Sequence, residues 1–124
     1  MNEELRERIK TVIETEPVSL FMKGTPTFVM CGNSERALQA LRAAGAPVTA
    51  VDILPDPEIR HELSALSGWP TIPRVFVNGE LIGGADIVQE LAASGDLERK
   101  LEDALGDDYR ERAEDRVVSV VTPA

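Results

Sequence analysis

A chain of 124 residues with 43% apolar and 28% charged side chains is long enough for one domain with a core of its own and too short for two. Its 22 acidic against 13 basic residues give a formal charge of -9, which argues against a nucleic-acid partner, because a phosphate backbone is repelled by such a surface and no basic cluster interrupts it. No apolar run approaches the roughly 20 residues that a membrane span needs, and a single cysteine, Cys31, can form neither an internal disulfide nor a protein-only metal cage.

Residues 1–8 mix acids with bases and hold no apolar run, so neither a secretory signal nor an acid-poor transit peptide is expected. With one cysteine suited to a reducing compartment, the expected location is cytoplasmic. Residues 3–15 place Leu5, Ile9, Val12 and Ile13 on one helical face, with Asn2 as cap and Pro17 as stop. Val18-Ser19-Leu20-Phe21-Met22 reads as a short buried strand. A glycine-bearing loop follows, then Cys31, then a helix that ends at Gly45 and Pro47.

Val48-Thr49-Ala50-Val51-Asp52-Ile53 is rich in β-branched residues and predicts a second strand, and a strand, helix, strand unit implies a parallel pair with a right-handed crossover. Asp56-Pro57 opens a helix, with a capping carboxylate before proline. Ile59, Leu63 and Leu66 form its apolar stripe, and Gly68 ends it. Asn78-Gly79 between two apolar runs is a hairpin signal, since both turn residues tolerate positive φ. Gly83-Gly84-Ala85-Asp86 leads into a helix with Ile87, Val88 and Leu91 inward, and a further helix covers residues 97–105. The expected domain is residues 1–106. Residues 107–124 are charged and end in a valine-rich run without a turn partner, so a mobile tail is expected over an added strand. Its valines offer an edge to a partner or a second copy. The fold predicted is α/β, a four-stranded mixed sheet of two parallel strands and an antiparallel hairpin, flanked by helices.

Cys31 begins a helix, where unpartnered backbone N–H groups and the helix dipole stabilise a thiolate, and Lys23 can add a cation on the same side. The other reading is a small buried apolar cysteine. His61, a single histidine without a second ligand nearby, is a poor metal candidate.

Phe21-Met22-Lys23-Gly24-Thr25-Pro26, Cys31-Gly32 with Ser34, Val51-Asp52-Ile53-Leu54, Trp69-Pro70-Thr71-Ile72-Pro73 and the run from Asn78-Gly79 through Gly83-Gly84-Ala85-Asp86 to Ile87-Val88 resemble the monothiol glutaredoxins, which have the thioredoxin fold. The resemblance covers about residues 5–105. It departs at Asn33, where the family's Cys-Gly-Phe-Ser word has phenylalanine. Phe28 is a candidate to replace that ring.

What the resemblance implies is a glutathione site around Cys31. Lys23 and Arg60 would bind the glycyl carboxylate, and Ile72, before a cis Pro73, would pair its backbone with the glutathione cysteine. The N–H groups of Gly84, Ala85 and Asp86 would hold the γ-glutamyl carboxylate while the Asp86 carboxylate meets the ammonium. Each residue also has an ordinary explanation: solvated charges at Lys23 and Arg60, close packing at Gly83-Gly84, a cap at Asp86, and Trp69 packed beside the site.

Two functions follow from the resemblance. A 2Fe-2S cluster takes four thiolates, which two copies of the chain, each with Cys31 and one glutathione, would supply as a homodimer. Such a carrier would pass its cluster to acceptor proteins, with a BolA-type protein as a partner. The alternative is a glutathione-dependent oxidoreductase that reduces glutathione mixed disulfides through Cys31 alone. The Lys23 loop and the Trp69-Pro70 word favour the carrier.

Overall fold

Leu5, Ile9, Val12 and Ile13 recur at helical spacing, and the helix they predict, α1 (Glu3–Thr15), buries all four. The structure, a computed structural model, describes residues 3–68 and 71–121. The expected Asn2 cap therefore lies outside the described residues.

The centre of the sheet is β1 (Val18–Met22), buried along its whole length. It pairs in parallel with β4 (Val48–Asp52) and antiparallel with β5 (Arg74–Val77), which forms a hairpin with β6 (Glu80–Gly83). The hairpin turn has Asn78 at φ 50° and Gly79 at φ 84°, the positive pair that Asn-Gly predicts. Side chains alternate across β1. Val18, Leu20 and Met22 face α2 (Gly32–Ala43), α4 (Ala85–Ser94) and α5 (Asp96–Leu105) in one apolar cluster. Phe21 faces α1 and α3 (Pro57–Ser67) in the other, edge-on to Phe76 with ring centroids 5.8 Å apart. Burying a side chain of this size contributes about 1.5–3 kcal/mol. The Asp56 carboxylate caps α3 by accepting from the Glu58 N–H, and Gly68 closes that helix in the left-handed conformation.

Four expectations need correction. The sheet has five strands, in the order β6-β5-β1-β4-β7, because β7 (Arg116–Val117) adds in parallel to β4. The stretch expected to be a mobile tail is thus anchored over its described part: in the short helix α6 (Tyr109–Arg112), buried Tyr109 donates its hydroxyl to the Ala44 carbonyl at 2.7 Å. The Asp115 carboxylate accepts from the Val48 N–H, and Val120, 2% exposed, gives its carbonyl to Arg8. These anchors are dispersed single residues, without the periodicity that marks an element in sequence. Second, residues 24–29 form a small hairpin of β2 (Gly24–Thr25) and β3 (Phe28–Val29). Gly24 has φ +94°, and a Cβ there would meet the Met30 nitrogen at 2.9 Å. Third, Leu66 is partly exposed, and the α3 face is completed by Glu62, fully buried and paired with Arg6 of α1 at 2.9 Å. Fourth, Ile87, expected inward, is also partly exposed. Among the described residues no helix is long and apolar enough to cross a membrane.

Candidate functional site

Cys31 is the N-cap of α2, in extended conformation, and its carbonyl accepts from the Glu35 N–H at 3.0 Å. That position leaves the first-turn N–H groups pointing at the sulfur. The backbone N–H of Ser34 is the main influence holding the thiol below its ordinary pKa; partial burial opposes it, and the Asn33 N–H, the Ser34 hydroxyl and the Lys23 ammonium assist in decreasing order. The Cys31 thiol is thus more acidic than an ordinary one, with Lys23 as the smallest contributor. Cys31 is partly exposed, and Phe28 and Met30 beside it are 70% and 56% exposed.

Two bonds set the loop before the cysteine. The Lys23 N–H donates to buried Ser34 Oγ at 3.1 Å. Asp52, at the end of β4, accepts at one carboxylate oxygen from the N–H groups of Gly24 and Leu54, each at 2.9 Å.

Beside the start of α2 lies a groove of about 400 Å³, lined by Asn33 and Arg36 from α2, by Thr71, Ile72 and Pro73, and by Gly84, Ala85, Asp86 and Ile87. The Ile72-Pro73 peptide is cis, as the resemblance implied. Gly84 is the N-cap of α4, so the Ala85 and Asp86 N–H groups face outward without intrahelical partners. Five expected residues, Ile72, Pro73, Gly84, Ala85 and Asp86, are thus brought to one groove. Lys23 and Arg60 do not line it: Lys23 lies on the Cys31 side, and Arg60 is an exposed residue of α3, near enough to Arg74 to act on its charge. Trp69 and Pro70 lie outside the described residues. A cavity of about 330 Å³ between the β5–β6 hairpin and α5 contains neither helix start and no cysteine.

Two residues that shape the groove were not foreseen, Arg36 in its lining and Arg74 buried behind it. Arg36 reaches Asp86 at 3.0 Å and donates to Asn33 Oδ1 at 2.6 Å; its spacing of three from Asn33 on one helix was the available signal. Arg74, fully buried, donates to the Thr71 carbonyl at 2.8 Å and to the hydroxyls of Ser67 and Ser64 at 3.0 Å. It thereby ties the Thr71-Ile72-Pro73 turn to the end of α3. Burial, with repulsion from Arg60, lowers its pKa to about 10, so it stays protonated at neutral pH. A charge opening the apolar run after Pro73 was its signal.

The glutaredoxin family model matches residues 18–82, more than half of the chain and the whole of the Cys31 loop and cis-proline turn. The chain belongs to the glutaredoxin family. A monothiol glutaredoxin of Synechocystis sp. is 45% identical over 105 residues, 85% of this chain and 98% of that protein. Monothiol glutaredoxin-S11 of rice is 48% identical over 80% of this chain, which spans only 20% of the rice protein. The solution structure of reduced poplar apo GrxS14 superposes with a TM-score of 0.72 at 39% identity, over 82% of this chain and 93% of that one. This glutaredoxin has one cysteine, in keeping with its monothiol relatives, and its fold is a thioredoxin-like α/β arrangement with β7 at one sheet edge.

Proposed function

We propose that this glutaredoxin binds glutathione along the groove beside Cys31 and carries a 2Fe-2S cluster shared between two copies of the chain. The observation that carries the reading is Cys31, made more acidic by the start of α2 and two residues before Asn33, which lines the groove that includes Ile72 and Asp86. Glutathione has two carboxylates, one ammonium and a thiol. Lys23 and Arg60, both outside the groove lining, would answer the glycyl carboxylate from its margin; the Ile72 backbone answers the central residue; the Ala85 and Asp86 N–H groups and the Asp86 carboxylate answer the γ-glutamyl end.

The donor set fits a cluster as cargo only in a shared arrangement. Among the described residues no three His, Cys, Asp or Glu side chains converge, and the chain has a single thiol, whereas a cluster of this kind takes four thiolates. Two Cys31 sulfurs and two glutathione sulfurs make that number, which requires a homodimer. Release then follows when an iron-sulfur acceptor or a BolA-type protein replaces one copy.

Anaerobic reconstitution with iron, sulfide and glutathione tests this. The expected product is a coloured dimer whose visible absorbance is absent from Cys31→Ser. A colourless monomer from the native chain contradicts it. The lowered thiol pKa also favours a second reading, glutathione-dependent reduction: the Cys31 thiolate attacks the glutathionyl sulfur and expels the substrate thiolate, and a second glutathione thiolate then frees Cys31 and leaves glutathione disulfide. A colourless monomer that turns over a glutathionylated substrate supports that reading over the first.

A further inference from the structure

The α4 end of the groove contains a cation fixed from three sides. Arg36 donates through one terminal nitrogen to Asn33 Oδ1 at 2.6 Å and lies 3.0 Å from Asp86 Oδ1 through the same nitrogen. Its other terminal nitrogen donates to Gln89 Oε1 at 2.8 Å. A surface ion pair alone would be an ordinary strap between α2 and α4, worth about 0–1 kcal/mol. Two features set this one apart. Arg36 and Asn33 line the same groove as Gly84, Ala85 and Asp86, and both charged side chains remain open to solvent, 42% and 81% exposed. The guanidinium keeps unclaimed N–H groups, and Asp86 keeps a second oxygen.

Resting on the glutathione reading, which already gives the γ-glutamyl ammonium to Asp86, we propose that Arg36 is a further specificity residue that binds the carboxylate of that same α-amino-acid head, and that Asn33 positions Arg36 for it. The head is a zwitterion, ammonium and carboxylate on one carbon, and the two side chains present the opposite charges side by side. Asp86 takes the ammonium. Arg36, in a planar fork suited to carboxylates, joins the Ala85 and Asp86 N–H groups on the carboxylate. In a chain of net charge -9 that cation also offsets the repulsion an anionic tripeptide meets on approach. Asn33 acts through Arg36: its amide oxygen holds the guanidinium against the groove, where an aromatic side chain would offer no acceptor. The specificity that results is for thiols with a free γ-glutamyl head over shorter thiols that lack it.

The test compares two disulfides as partners of Cys31 in the full-length apo chain: glutathione disulfide, and the disulfide of the dipeptide Cys-Gly, which has no γ-glutamyl head. In each, the Cys31 thiolate attacks one sulfur, forms a mixed disulfide and releases the other half as thiolate. The ratio of the two second-order rates reads recognition of the head and cancels any change in Cys31 reactivity. Arg36→Met is expected to lower that ratio by about tenfold, the factor one charge-assisted hydrogen bond supplies. Arg36→Lys is expected to restore part of it. Asn33→Ala is expected to lower it in the native background and to have no further effect with Arg36→Met. An unchanged ratio in Arg36→Met overturns the proposal while leaving glutathione binding intact. A native ratio near one contradicts the glutathione reading itself, and this role of Arg36 with it.

Discussion

The backbone N–H of Lys23 donates to the Oγ of Ser34 at 3.1 Å, joining the loop that enters the site to the helix that leaves it. Through this contact a single buried serine serves both ends. Its hydroxyl accepts from the loop, and its own N–H leads the groups that lower the pKa of Cys31.

Ser34→Ala keeps that N–H but loses the hydroxyl. It is expected to raise the pH at which Cys31 is half alkylated by iodoacetamide, and to cost about 1–3 kcal/mol in urea unfolding because the Lys23 N–H loses its acceptor. Lys23→Ala is expected to raise the same midpoint by less, since the ammonium is the smallest of the assisting influences.

The same lowered pKa makes Cys31 a pH-dependent contributor to stability. A group whose folded pKa is depressed stabilises the fold fully above its unfolded pKa, and that contribution disappears as pH falls through the folded value. The stability advantage of the native chain over Cys31→Ser is therefore expected to grow with rising pH across this window. Urea unfolding of both chains at several pH values checks it, and a difference that is flat with pH contradicts it.

Arg74→Met removes the donors to Thr71, Ser67 and Ser64 in one step. A loss of about 2 kcal/mol is expected, more than one ordinary hydrogen bond, because three acceptors lose their donor at once. Arg74→Lys is expected to recover only part, since an ammonium cannot reproduce a fork that spans three acceptors. Denaturant midpoints for the three chains decide.

Tyr109→Ala is expected to cost about 3–5 kcal/mol, the range for emptying a buried aromatic site, because Tyr109 fills one apolar cluster and holds the Ala44 carbonyl. A thermal midpoint equal to that of the native chain would restore the view of residues 107–124 as a loose tail.

The parts of this fold legible in the sequence are those set by local chemistry. Leu5, Ile9, Val12 and Ile13 have helical spacing, Asp56-Pro57 has a cap and an N1 proline, and Asn78-Gly79 has the turn its backbone requires. The parts that were not legible depend on meetings between distant residues. Nothing near Tyr109 announces the Ala44 carbonyl, and nothing near Arg116 announces the open edge of β4. In the groove, Ile72, Pro73, Gly84, Ala85 and Asp86 were singled out through the family resemblance, whereas Arg36 and Arg74 were not, because their acceptors meet them only in the folded chain.

The shared-cluster account is tested most directly by composition. The holo species, reconstituted with glutathione and isolated by size, is analysed for iron, acid-labile sulfide, glutathione and chain. The account predicts a dimer with these four in equal amounts, and no such species when glutathione is left out. A coloured species that forms without glutathione, or that elutes as a monomer, contradicts it.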